Sequence, residues 1–449
     1  MCGYAENRIL KRVGKKNNFM KKTIFLLLLI TSIKNAAISQ ISVLAFPMDP
    51  QTGSYNYFGV RVSLQEAKSQ DITISGYITD PGGSVTNKSF QLTIYAGNLT
   101  AETETNFFQT DPTAIAEAHL GSISTTYGGA QVTYEVNGCI LKFSTTSDYN
   151  LVLQQLETDY ELFNDNYENQ YPGLTDEQLD DLDEQNGFDE FTPLKEFESL
   201  FGGFCSKRSE IEAVENTWLA NNMTGIDPDD IDLTFDDAEN TIFNNNYSFK
   251  IGNDTYQLTE TGTYINGILW GGNNSTSHLH IPTWNDNKDQ LSAGPYAEEI
   301  SSVSTNYNFA MRNTTECKSN KKSSTRSDYS SNGRMKFKIA INSIAIRSSV
   351  KSKAVNFKKK NNGNWKRSRV NMAVGCGGTV YEGDCSSSFQ FNDRFPLNGF
   401  KKRKQAKCTY RSGAAIPGNE TIWKTYTNMI AGTVDAPSIN VSATLILTF

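Results

Sequence analysis

Phe58-Gly59-Val60-Arg61-Val62-Ser63-Leu64 puts an apolar side chain at every second position. Ile72-Thr73-Ile74-Ser75-Gly76-Tyr77 and Phe90-Gln91-Leu92-Thr93-Ile94 repeat the pattern. Successive side chains of a strand point to opposite faces, so this alternation predicts strands with one face buried and one in solvent. Pro81-Gly82-Gly83 is a turn signal, and Val136-Asn137-Gly138-Cys139 sets Asn-Gly between two alternating runs, the strongest short hairpin signal. Short strands recurring at this spacing predict a β-sandwich over residues 40–146.

Beyond Tyr149 the period changes from two to that of a helix. Leu151, Leu153, Leu156, Tyr160, Leu162 and Phe163 recur at helical spacing, Thr175 opens a second helix, Pro193-Leu194 a third, and Ile211, Val214, Trp218 and Leu219 follow the Gly202-Gly203 break. A further helix is expected over residues 235–243, a hairpin around Gly252-Asn253-Asp254, and a strand from Thr261 to Trp270. Residues 147–270 thus read as an acidic helical insert ending in a β-hairpin, and 271–333 as a loop-rich linker. From Arg334 strands resume through Phe337, Ile339 and Ile341, Ile344 and Ile346, and Val355 and Phe357. A turn follows at Asn361-Asn362-Gly363-Asn364, and residues 334–449 form a basic β-domain ending in the alternation Val441, Ala443, Leu445, Leu447 and Phe449. The expected fold class is mainly β with an α-helical insert: an N-terminal β-sandwich, a central α+β module and a C-terminal antiparallel β-domain.

Residues 1–39 read as leader and signal peptide. Lys21 and Lys22 precede the apolar run Thr23–Ile30, and Ala37 and Ser39 stand at the minus-three and minus-one positions of a cut before Gln40. The run is far shorter than the ~20 residues of a membrane-spanning helix, so export without a transmembrane anchor is expected. Six cysteines follow that cut, Cys139, Cys205, Cys317, Cys376, Cys385 and Cys408. Their pairing is not deducible from sequence, and Cys376 with Cys385, joined by a turn-rich stretch, is the first pair to test.

The strands Phe58–Leu64, Ile72–Tyr77 and Phe90–Ile94 resemble those of immunoglobulin-like and Calx-β-like modules of secreted bacterial proteins. Phe188-Asp189-Glu190 with Pro193-Leu194-Lys195, Asp227-Pro228-Asp229-Asp230, Ile251-Gly252-Asn253-Asp254-Thr255-Tyr256 and the basic stretch from Phe357 to Arg367 resemble a group of uncharacterised secreted Bacteroidetes proteins. That resemblance implies an extracellular, bacterial location and carries no activity or catalytic residue to transfer.

The charge is segregated. Between Glu157 and Glu260 there are 27 acidic residues against 4 Lys or Arg, a balance of −23, and between Cys317 and Arg411 there are 23 basic against 4 acidic, a balance of +19. Two readings stand side by side: the blocks dock on each other within the molecule, or both are solvated faces. Lys358, Lys359, Lys360, Trp365, Lys366, Arg367, Arg369, Lys401, Lys402 and Arg403 are candidates for binding a polyanion such as a surface glycan, cations supplying the contacts and Trp365 a stacking face. The alternative is a charged sheet surface that resists aggregation. Asp227, Asp229, Asp230 and Asp232 offer closely spaced oxygens for Ca²⁺, the one cofactor the sequence suggests, without the glycine of an EF-hand loop, and Asp227 equally suits a helix cap. His278 and His280 would share one face of a strand, a weaker metal candidate. No nucleophile elbow, phosphate loop or dinucleotide fingerprint is present, and a glycosidic carboxylate pair, which needs only proximity in space, has no sequence signature. The expected function is non-enzymatic binding by a secreted or cell-surface protein through its basic C-terminal β-domain. The alternatives are a hydrolase of an extracellular glycan or peptide polymer and a surface structural component.

Overall fold

The computed structural model describes residues 41–47, 56–80, 87–104, 107–110, 116–233, 235–259, 262–269, 285–287, 321–382, 387–411, 423–425 and 429–447. The signal-peptide segment, His278, His280, Cys317 and Cys385 lie outside them. The chain is mainly β with a helical insert. Ile41–Pro47 pairs with Asn56–Leu64, which also carries the short strands Thr100–Glu102 and Phe108–Thr110. A nine-stranded sheet runs, in spatial order, through Ile268–Leu269, Gly262–Ile265, Asp254–Thr259, Ser248–Ile251, Ile140–Phe143, Ala130–Glu135, Glu117–Tyr127, Ile72–Thr79 and Lys88–Ile94. Val60, Val62, Ile72, Ile74, Ile78 and Ile123, the inward members of the alternating runs, are fully buried in one core.

Within the nine-stranded sheet, Ile140–Phe143 and Ser248–Ile251 are neighbours and run parallel, Lys142 opposite Lys250. A parallel neighbour cannot be reached by a tight turn and needs a crossover connection. The helical insert is that crossover. Its helices are α1 (Thr146–Asn169), α2 (Asp176–Asn186), α3 (Thr192–Ser199), α4 (Lys207–Ala220) and α5 (Asp237–Ile242). Thr145, Thr175 and Asp236 open α1, α2 and α5 with capping boxes, and Gly187, in the left-handed region at φ 65°, ends α2. On α1, Tyr149, Val152, Leu153, Leu156 and Tyr160 are buried in the same core as the sandwich, whereas Leu151 and Leu162, which also fit the helical spacing, are exposed. The Asn-Gly at 137–138 makes a 3-10 turn rather than a two-residue hairpin, and Cys139 closes it in the left-handed region.

The C-terminal part packs two sheets face to face. One contains Lys321–Ser330, Gly333–Ile344, Arg347–Lys359, Trp365–Arg367 and Gln405–Arg411; the other is built on Val370–Glu382, with Ser387–Phe395, Ile430–Ala436 and Val441–Ile446. Lys321–Ser330 lies within the stretch read as a linker. Met335, Phe337, Ile339, Ile341, Val350 and Ala354 fill the space between the sheets with Met372, Val374, Ile430 and Val434. Cys376 is bonded to Cys408, joining the sheets across a separation of 32 residues. This corrects the expected Cys376–Cys385 pair: proximity in sequence favoured a link within one hairpin, but Cys376 points into the inter-sheet core, where Cys408 also lies. Ile344, Ala345 and Ile346, read from sequence as continuing strand, are the tip of a long hairpin and bury themselves in the N-terminal core.

Candidate functional site

Period two gives the first C-terminal sheet two unlike faces. Phe337 and Ile339 point inward, so Lys336 and Lys338 point outward. On the next strand Val350 and Ala354 point inward while Lys351 and Lys353 point outward, and on the third Ala406 and Cys408 point inward while Lys407 and Arg411 point outward. The register sets Lys338 opposite Lys353 and Lys353 opposite Lys407. Like charges directly opposite each other destabilise a sheet unless they are compensated. The compensation comes from the acidic insert.

Lys336 contacts Asp227 and Asp229, each at 2.5 Å, and Lys338 contacts Asp229 at 2.9 Å and Asp232 at 2.5 Å. Lys353 reaches Asp237 at 3.0 Å, Arg347 and Lys351 meet Glu239, and Arg411 meets Asp236 and, at 2.6 Å, Glu157. Burial works to raise the carboxyl pKa values of Asp229, Asp236 and Asp237, and the facing cations reverse it so far that all three lie well below the usual aspartate range. Lys351 goes the other way: burial, with Arg347 and Arg411 alongside, pushes its ammonium well below the ordinary lysine range despite Asp236.

The residues proposed from sequence for polyanion binding lie at the same seam. Lys358 contacts Glu177 at 2.8 Å, Lys360 contacts Glu184 at 3.0 Å, and Lys366 contacts Glu184 at 2.5 Å. Arg367 clamps Glu215 through two bonds of 2.5 and 2.7 Å and reaches Glu190 at 3.1 Å. Arg369 meets Asp183 at 2.8 Å with both side chains buried, Lys401 and Arg403 share Asp165, and Arg403 also holds Glu168 at 2.5 Å. Lys402 donates to the Leu174 carbonyl. Lys359 makes no ion pair among the described residues. Trp365 is half-buried, with the Arg334 guanidinium 5.0 Å from its ring centre.

Three of the four aspartates proposed for Ca²⁺, Asp227, Asp229 and Asp232, face lysines. Asp227 accepts from the Asp229 amide at 3.0 Å, Asp230 accepts from the Asp227 amide at 3.2 Å, and the ammonium groups of Lys336 and Lys338 stand where a cation would. Among the described residues no group of three or more His, Cys, Asp or Glu is placed to hold a metal ion. The sequence reading missed the cationic stripe Lys336, Lys338, Lys351, Lys353, Lys407 and Arg411. Its signal was present for Lys336 and Lys338, which alternate with Phe337 and Ile339, but Lys351 and Lys353 share the face of Val355 and Phe357, and Gln405–Arg411 was not read as a strand.

Between the end of α2, the 188–191 loop, α4 and the hairpin turn at 361–364 an open cleft of about 470 Å³ remains, with Phe188, Asn216, Asn362, Asn364, Trp365 and Lys404 on its walls. Asn216, Asn362 and Asn364 are exposed, and Phe188 is half-buried. The carboxylates of this wall are engaged: Glu190 and Glu215 by Arg367, and Glu212 by Lys195 at 2.5 Å and Arg208 at 2.7 Å.

No family model matches the chain, and no curated protein matches it. It is similar to a solved DUF4848 family protein from Bacteroides thetaiotaomicron over 71% of this chain and 100% of that one, at 9% identity and a TM-score of 0.15. At that level the likeness fixes neither fold nor function. Among the described residues no helix is long and apolar enough to cross a membrane.

Proposed function

We propose that the chain is an exported, non-enzymatic binding protein that seats an uncharged glycan in the cleft beside Trp365. Export is supported by the basic, apolar and small-residue succession from Lys21 to Ser39. One observation carries the binding reading: the cleft presents side-chain amides and aromatic carbon, while the charges around it are committed to one another. Amides donate and accept toward hydroxyls, and ring faces pack against sugar C–H surfaces, a mixture that suits a polar ligand without net charge. The basic C-terminal β-domain contributes Trp365 and the 361–364 turn to this cleft. Its lysines and arginines are largely neutralised, which argues against a polyanion as the ligand.

The test is a glycan array and titration calorimetry on the full exported chain. Binding of a neutral oligosaccharide that is lost in an Asn362→Ala/Asn364→Ala variant, while a Lys358→Glu/Lys359→Glu variant outside the cleft retains it, supports the reading. Retention of sulfated polysaccharide alone, abolished by the Lys358→Glu/Lys359→Glu reversal, overturns it in favour of a polyanion surface. Release of shortened products from a bound polymer overturns it in favour of a hydrolase.

A further inference from the structure

Two free thiols, Cys139 and Cys205, are both exposed. They stand 66 residues apart in sequence, and Tyr134 brings their surroundings together. The Tyr134 ring is buried and packs edge-on against Phe201 at 6.4 Å and Phe204 at 5.6 Å, which presses the end of the 130–143 hairpin onto the loop before α4. Its hydroxyl donates to the Gly203 carbonyl at 3.3 Å, and the Cys205 thiol donates to the same oxygen at 3.8 Å. Burial first, and then contact with the Cys139 thiol and the proximity of the Cys205 thiol, raise the Tyr134 phenol pKa. Both thiols are therefore neighbours of one phenol.

We propose that Cys139 and Cys205 form a second disulfide in the exported protein. The two thiols lose two protons and two electrons as the S–S bond forms, and a disulfide oxidant of the exported compartment is reduced to its two thiols. Cys139 sits at φ 47° at the end of a 3-10 turn, and Cys205 follows Gly203 at φ 87°, both in irregular segments. A disulfide needs Cα atoms about 4.4–6.8 Å apart, so the bond requires the 136–139 turn and the 202–205 loop to bring the two residues within that range. Exposed thiols that share a neighbour, outside a reducing cytoplasm, are expected to oxidise. The bond would tie the nine-stranded sheet directly to the helical crossover, as Cys376–Cys408 ties the two C-terminal sheets.

This inference rests on export, and the test separates the two claims. Full-length protein recovered from the exported fraction is denatured in alkylating agent, digested without reduction and mapped by mass spectrometry. The expected result is a linked peptide pair carrying Cys139 and Cys205, two hydrogens lighter than the sum of its free peptides, with a Cys139→Ser variant leaving Cys205 open to alkylation. Cys376–Cys408 is the internal control. Alkylated Cys139 and Cys205 beside an oxidised Cys376–Cys408, or either residue linked to Cys317 or Cys385, overturns the pairing. If Cys376–Cys408 is also reduced, the export reading fails, and purified protein treated with oxidised glutathione then decides the pairing: a 139–205 link supports it, and its absence alongside a restored 376–408 link refutes it.

Discussion

Replacing Arg367 with alanine is the sharpest probe of the seam between the acidic insert and the basic sheet. Its guanidinium is 15% exposed, and it holds Glu215, 11% exposed, through two bonds and Glu190, 4% exposed, through one. The same group donates to Gln405 at 2.9 Å and lies 5.1 Å over the Phe191 ring. Burial opposes its charge, but Glu215 and Glu190 raise its pKa well above the usual arginine value. Arg367→Ala leaves two carboxylates buried without a counter-ion. Breaking a buried pair from one side costs about 3–5 kcal/mol. With a urea slope of about 3 kcal/mol per molar, the unfolding midpoint falls by about 1 M or more. The cost belongs to the abandoned carboxylates and not to a net strength of the pair, so Arg367→Met with Glu190→Gln and Glu215→Leu should recover most of it. Urea unfolding followed by tryptophan fluorescence reads both variants, Trp218 lying in the packed patch beside this site. An Arg367→Ala variant within about 0.5 kcal/mol of the parent, the scatter of ordinary surface changes, refutes the reasoning. So does a triple variant no more stable than the single one.

The Lys358→Glu/Lys359→Glu/Lys360→Glu variant should melt close to the parent in differential scanning calorimetry, because Lys358–Glu177 and Lys360–Glu184 are largely solvated pairs; a loss as large as that of Arg367→Ala would place these lysines in the buried seam. Asp229, Asp236 and Asp237 have folded-state pKa values below their unfolded ones, so their contribution is fully present above about pH 4 and is lost as pH falls below it. Asp180 and Glu161, which burial raises, act in the opposite direction, since protonation relieves their cost. Near-UV circular dichroism on acid titration should therefore show tertiary structure lost below pH 4, and an Asp237→Asn variant, which lacks this contribution already at neutral pH, should lose it at the same or a higher pH, never a lower one. Calcium at millimolar concentration, or its removal with chelator, should leave the melting temperature unchanged, because Lys336 and Lys338 neutralise Asp227, Asp229 and Asp232; a calcium-dependent rise would show that an oxygen cage forms after all.

Local patterns in the sequence were legible where one rule decided the outcome. The alternation at Phe58–Leu64 and the helix start at Thr175 act within a few residues, and each marks the element it predicts. The crossover between Ile140–Phe143 and Ser248–Ile251 was not legible, because a parallel pairing across about a hundred residues leaves no local signature. Charge segregation announced two opposed surfaces without saying which residue meets which. Lys358 to Lys360 stood out as a run in sequence, yet the buried contacts belong to Lys336, Lys338, Lys351 and Lys353, which are spaced by two and so share one face. Cys408 was masked in the same way: its partner lies on another sheet, and only the facing of the two sheets brings Cys376 to it.

The seam is held and aligned by different forces. Desolvation of two charges cancels much of their attraction, so buried ion pairs add little net stability. Apolar burial supplies the adhesion: Trp218, Leu219 and Met223 of the insert pack on Val355 and Phe357 of the sheet, and Ile344, Ala345 and Ile346 enter the N-terminal core. At about 25 cal/mol per Å² such contacts are favourable in many alignments, because apolar surface has no direction. The charges do. Asp229 serves both Lys336 and Lys338, Glu239 both Arg347 and Lys351, and Asp183 both Arg369 and Lys404. Moving the insert along a strand by one residue would turn each carboxylate toward an inward-facing position and strand the lysines opposite one another. The alignment of helices on sheet, and with it the shape of the cleft at Trp365, is therefore set by the cations on the alternating face. Exchanging Lys336 and Lys338 for leucine together with Asp227, Asp229 and Asp232 for alanine should leave a folded protein whose two layers still adhere but whose cleft no longer has one defined geometry.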